Sequence, residues 1–164
     1  MLKRTITGFA ALSLFLLWFG AGSLVQRAGA EDEALLVIVG TSFPAKDVSF
    51  AVLKEAFRGR AASLEGKRLI PVNHPNDSPP RVLFDKLVLR LKPAEVGRFW
   101  VDVKIRDDGK PPTTAGTSEL AVRIVASLPS SISYAPRSLL NPKVKVLTID
   151  GKSATDADYP LKAK

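Results

Sequence analysis

Leu35-Leu36-Val37-Ile38-Val39, closed by Gly40, is an uninterrupted apolar run of strand length. A strand with one face in water alternates apolar and polar residues. A run without alternation reads as a strand covered on both faces, the kind found in α/β sheets rather than exposed antiparallel ones. Working outward, Asp47 and Ser49 are candidate N-caps for a helix through Phe57, in which Phe50, Leu53, Ala56 and Phe57 form one apolar stripe. Gly59 supplies its stop. Leu69-Ile70-Pro71-Val72 reads as a second strand, with Pro71 placing it at an edge or at the end of pairing.

A polar loop, Asn73-His74-Pro75-Asn76-Asp77, leads to Ser78, a fitting N-cap. Pro79 and Pro80 occupy the first helical turn, where proline is tolerated. The helix they open carries Val82, Leu83, Leu87, Val88 and Leu91 and runs to about Arg90; Pro93 starts another through Val103. Residues 107–114, with Gly109 and two prolines, read as loop, and the adjacent acids Asp107 and Asp108 as a solvated pair. Thr117 or Ser118 caps a helix bearing Leu120, Ala121, Ile124, Val125 and Leu128, with Glu119 suited to its dipole. Ser131-Ile132-Ser133-Tyr134 and Val144-Lys145-Val146-Leu147-Thr148-Ile149 alternate as strands, the second ending at an Asp150-Gly151 turn. The tail from Lys152 reads as loose. With no internal repeat, the pattern predicts one mixed α/β layer structure.

The N-terminus reads differently. Lys3 and Arg4 precede an apolar segment from Phe9 to Phe19, and Ala28-Gly29-Ala30 offers small residues ahead of Glu31 and Asp32. This is the pattern of a cleavable secretory signal over residues 1–30, with residues 31–164 as a single periplasmic domain. The competing reading is a retained membrane anchor, since residues 8–25 approach the roughly 18 apolar residues that span a bilayer. Removing residues 1–30 takes away Lys3, Arg4 and Arg27 and no acid, leaving 21 basic against 16 acidic residues, a net of +5. Such a charge favours anions by long-range steering without naming one. The basic residues are scattered and not interleaved with aromatics, so nucleic acid is not an expected partner.

There is no cysteine, which excludes disulfides and thiolate chemistry. His74 is the only histidine, which serves the common zinc arrangements poorly; no metal and no cofactor is expected. A Ser-His-acid triad around His74 lacks the Gly-x-Ser-x-Gly turn that presents the nucleophile, and neither Gly-x-x-x-x-Gly-Lys nor Gly-x-Gly-x-x-Gly occurs. Enzymatic activity is not expected. Anion binding has better material. Helix N-termini at Ser78 and at Thr117-Ser118, and the strand end Gly40-Thr41-Ser42, offer donors where open α/β sheets hold ligands. Simple capping is the alternative job for those hydroxyls.

The stretch from Asn73 to Phe84, preceded by Ala56-Phe57-Arg58-Gly59-Arg60 and the strand to Val72, resembles part of the phosphate-binding proteins of ABC transporters. The later Ser118-Glu119 and the run from Val125 to Tyr134 resemble that family's segment leading to its "IGY" strand. The likeness covers most of residues 35–150 and is nearest to short, single-lobe relatives. It implies one lobe of a type II periplasmic-binding-protein fold, with a mixed sheet flanked by helices. It also implies a periplasmic phosphate- or oxyanion-binding module of a transport or sensing system, partnered by a membrane transporter or sensor. Gly40-Thr41-Ser42-Phe43-Pro44-Ala45 echoes the opening of the full-length receptors. Ser78 matches the family's phosphate-contacting serine, but His74 stands where the family has arginine, Asn76 where it has aspartate, and Pro79-Pro80 where it has Gly-Thr. The prolines remove two backbone donors, and the lost arginine removes a bidentate partner. The expected anion site is Thr41, Ser42, His74, Asn76 and Ser78, with Arg81 if its side chain turns back. The alternative is an envelope interaction domain that has kept the fold and lost the ligand. A hydrolase using His74 is a third.

Overall fold

The computed structural model describes residues 34–106 and 109–163. The expected signal segment and the Asp107–Asp108 pair lie outside the described residues. A six-stranded sheet runs in the order β2 (Asp47–Val48), β8 (Val144–Ile149), β1 (Leu36–Gly40), β7 (Ser131–Ala135), β5 (Ile70–Asn73), β6 (Thr113–Thr114). A separate hairpin pairs β3 (Ser63–Leu64) with β4 (Lys67–Arg68). The helices are α1 (Phe50–Phe57), α2 (Pro79–Phe84), α3 (Pro93–Ile105) and α4 (Ser118–Ser127). A π turn over Asp85–Leu89 continues α2, and a 3-10 turn covers Arg137–Leu139.

β1 is central, and its residues divide by parity as strand geometry requires. Leu36 and Ile38 pack with Val72, Ala121, Val122 and Val125 beneath α4. Val37 and Val39 pack with Leu53, Phe57, Phe84 and Tyr134 beneath α1 and α2. Cover on both faces is what the apolar run demanded. Its pairing is not what such runs usually signal, because β1 lies antiparallel to both β7 and β8. The sheet is mixed: β5 is parallel to β7 and to β6, and β2 to β8.

Ser49 caps α1 by accepting the Val52 N–H, while Asp47 instead accepts from Thr148 Oγ1 and from the Gly151 N–H at 2.9 Å. At the other end Gly59, at φ +84°, donates to Ala56 O, and Arg60 N–H reaches Glu55 O, the paired bonds of a Schellman stop. Gly59 also meets Gly109: the Lys110 N–H donates to Gly59 O at 3.1 Å, and a Cβ on Gly59 would lie 2.5 Å from Lys110 O. This backbone crossing ties the end of α1 to the segment that enters β6.

Two expectations, a loop at Thr113–Thr114 and a loose tail, are corrected. Thr113 and Thr114 form β6 rather than loop, pairing with Val72 and Asn73. β5 therefore has neighbours on both sides, but β6 stops short of Pro71, whose missing N–H goes unused there. The alternation in β7 does not mark a solvent face, because every residue of the strand is buried. Its serines are tolerated there because Ser133 Oγ donates to Val72 O at 2.7 Å and Ser131 Oγ to Leu128 O at 2.5 Å. The tail is docked, not loose: Tyr159 and Leu161 are buried, Leu35 N–H donates to Leu161 O, and Tyr159 Oη donates to Leu35 O.

Candidate functional site

β5 delivers Asn73 and His74 at its C-terminal end, beside Tyr134 of β7. Four rings meet there. Phe84 lies parallel to Tyr134 with ring centroids 3.7 Å apart, His74 stacks on Tyr134 at 4.8 Å, and Phe57 meets Phe84 edge-on at 4.6 Å. His74 is fully buried, and its Nε2–H donates to Tyr134 O. That fixes the proton on Nε2 and leaves Nδ1 as a bare buried acceptor without a partner. Burial holds the imidazole below its usual pKa, against the opposing pull of the Tyr134 carbonyl, so the ring is neutral. Tyr134 Oη donates to Asn73 Oδ1 at 3.1 Å, leaving the Asn73 amide N–H groups as the free donors of that side chain.

Asn73 also borders a cavity of about 590 Å³ between α2 and α3. Its polar wall is Asn73, Asn76, Asp77, Arg81, Asp85 and Thr114; its apolar wall is Val82, Pro93, Val96, Trp100, Pro111 and Pro112. Arg81 is 2 % exposed, and its Nε donates to Asp85 Oδ2 at 2.7 Å. The pair leaves two buried atoms unmatched, Arg81 Nη1 as a donor and Asp85 Oδ1 as an acceptor. Burial raises the Asp85 carboxyl above the ordinary carboxylate range, and the Arg81 charge only partly offsets it. α3 contributes one buried residue, Val103, so it borders the cavity more than it joins the core.

The six expected site residues are not one cluster. Asn76 and Arg81 line the cavity. His74 sits behind its wall, committed to Tyr134. Ser78 holds the N-cap position of α2 but donates its hydroxyl to Pro75 O at 2.7 Å instead of capping. With Pro79 and Pro80 at the first two helical positions, the hydroxyl has few N–H groups to accept from, so it turns back into the loop. Thr41 and Ser42 lie at the opposite end of the sheet. Because β1 runs antiparallel to β7, Val39 pairs with Ile132, and Ser42 shares a small pocket with Ser130 at the start of β7. The expectation that the ends of β1 and β5 converge fails on that one antiparallel pairing. Thr117 is a plain cap, accepting the Leu120 N–H at 3.1 Å. Among the described residues no group of three or more His, Asp or Glu side chains is placed to hold a metal.

Sequence reasoning missed Asn73, Asp85, Trp100 and the apolar wall. The i, i+4 spacing of Arg81 and Asp85 was a legible signal for their pairing. Nothing in the sequence signals the π turn that follows.

No protein-family model matches the chain, and no curated protein matches it. Solved structures do. An ABC-type phosphate transport receptor from Vibrio cholerae aligns with a TM-score of 0.63 at 13 % identity, over 80 % of this chain and 54 % of that one. PstS from Borrelia burgdorferi aligns with a TM-score of 0.62 at 13 % identity, over 82 % and 56 %. The chain thus spans about half the length of the structures it matches. No helix among the described residues is long and apolar enough to cross a membrane. At such identities the likeness concerns architecture alone: a mixed sheet flanked by helices follows the fold of about half of each of those receptors.

Proposed function

We propose that residues 31–164 form a periplasmic solute-binding module, exported by the segment at 1–30, whose ligand is a small oxyanion held in the cavity at Arg81. The observation that carries this reading is Arg81, a buried cation among the residues that line the cavity, whose Nη1 has no hydrogen-bond partner. A buried donor without an acceptor costs about 1–3 kcal/mol, more when charged, and a ligand oxygen removes that cost. Asp85 Oδ1 needs the complementary partner, a hydrogen to accept. Asp77 adds a second carboxylate to the wall. A ligand carrying both an acceptor oxygen and an O–H satisfies the pair; hydrogen phosphate does so and sulfate does not. The solved neighbours that the fold resembles include a phosphate transport receptor, which agrees with that chemistry. A role beside a membrane transporter or sensor follows as part of the same proposal.

The test is thermal unfolding of the protein with phosphate, sulfate and small carboxylates. A ligand of the folded state at 100 times its Kd adds roughly 2.7 kcal/mol, several degrees for a domain of this size. A shift with phosphate that disappears in the Arg81→Met/Asp85→Leu double variant supports the site. The alternative, an interaction domain without a ligand, draws on Val101 and Ile105 of α3, which are 56 % and 77 % exposed. It predicts no shift with any anion.

A further inference from the structure

The cavity at Arg81 is far larger than a bare oxyanion needs, and most of the excess is apolar. An anion of five heavy atoms fills roughly the space of three waters, about 90 Å³ at a share of ~30 Å³ each, whereas the cavity holds about 590 Å³. The unmatched polar atoms, Arg81 Nη1 and Asp85 Oδ1, belong to α2 and the π turn. Across from them α3 sets Pro93, Val96 and Trp100, and the segment before β6 adds Pro111 and Pro112. This is the composition of a site for an organic molecule: apolar walls with a few polar groups that fix orientation. Proline and tryptophan faces are rigid, so a ring laid against them loses little conformational freedom in the wall.

Resting on the reading of Arg81 as an oxyanion partner, we infer that the ligand is an organic phosphate monoester. Its singly protonated phosphate would lie at Arg81 and Asp85, and its apolar, ring-sized substituent against Trp100. Trp100 is then the specificity residue. Among the described residues its ring contact is with Phe99 at 4.9 Å, and it makes no hydrogen bond or ring contact with Arg81 or Asp85. Its removal should therefore change which ligand binds without dismantling the polar end.

The chain has two tryptophans, Trp18 and Trp100, so the full chain carrying Trp18→Phe makes Trp100 the sole emitter. Phenyl phosphate and inorganic phosphate are titrated calorimetrically near pH 6, about the second pKa of a phosphate monoester, with Trp100 emission followed in parallel. Phenyl phosphate is expected to bind about tenfold tighter, a modest return for one aromatic stack, and to perturb Trp100 emission. Trp100→Ala should bring the two affinities to parity, with the variant's fold checked by its far-ultraviolet circular dichroism and its unfolding midpoint. Trp100→Leu, which keeps bulk without the ring, should fall between. Inorganic phosphate binding as tightly as phenyl phosphate would overturn the inference and leave the Arg81 site standing. Binding of neither would overturn both.

Discussion

Arg81 and Asp85 are joined one helical turn apart by a buried ion pair, Nε to Oδ2 at 2.7 Å, in the wall of the cavity. The bond leaves Arg81 Nη1 and Asp85 Oδ1 buried without partners. Breaking it from one side strands a charge. Arg81→Met alone is expected to destabilise by about 3–5 kcal/mol, while Arg81→Met/Asp85→Leu should recover most of that loss. Urea unfolding of the two single variants and the double variant gives the coupling directly; independent, additive effects would contradict a closed pair.

His74 makes the fold sensitive to acid. Its pKa in the folded chain is lowered by burial, whereas the unfolded chain has the ordinary value of about 6.5. Between those two values the unfolded state binds the proton and the folded state does not. Stability is therefore fully present above about pH 6.5 and is lost as pH falls through the folded pKa. Since the chain has one histidine, a single ring resonance in an NMR titration reads that pKa. His74→Phe should flatten the dependence of unfolding free energy on pH below 6.5; an unchanged slope would show that other groups cause it.

The crossing of Gly59 and Gly109 tolerates no side chain. Gly59 sits at φ +84° and Gly109 at φ +140°, and a Cβ on either would collide with the other segment's backbone. Gly109→Ala is expected to cost more than about 1 kcal/mol and to loosen β6 from Asn73, which hydrogen exchange at the Ala115 N–H bonded to Asn73 O would report.

Gly97 of α3 is the opposite case. A Cβ there meets nothing within 4 Å, and glycine inside a helix costs roughly 0.8–1 kcal/mol relative to alanine. Gly97→Ala should slow hydrogen exchange along α3, which shares little of the core and is expected to exchange faster than α4 in the unaltered protein. Equal exchange in α3 and α4 would show that α3 is held by more than Val103.

Much of the fold was legible because the deciding signals are local. The run at β1 required cover on both faces, Ser49 and Gly59 bounded α1, and Pro93 opened α3, where the Lys92 N–H also donates to Glu95 Oε2 at 2.8 Å. Strand direction was not legible, since a fully buried run has the same composition in parallel and antiparallel pairing. That one ambiguity put Thr41 and Ser42 in a site they are too far along the sheet to join. β6 and the docked tail were missed for a related reason: two threonines and the pair Tyr159 and Leu161 acquire their roles from distant partners, Asn73 and Leu35. At the site, Arg81 was found by its proximity to the loop, but its partner and the facing wall of α3 depend on tertiary packing.

The most direct test of the oxyanion site is isothermal titration of the protein with phosphate and with sulfate at neutral pH, repeated on Arg81→Met/Asp85→Leu. Two unmatched atoms, one donor and one acceptor, predict that phosphate binds at least about tenfold tighter than sulfate, a difference of about 1.4 kcal/mol, and that the double variant binds neither. Sulfate binding as tightly as phosphate, or phosphate binding that survives the double substitution, would contradict the assignment of the ligand to Arg81 and Asp85.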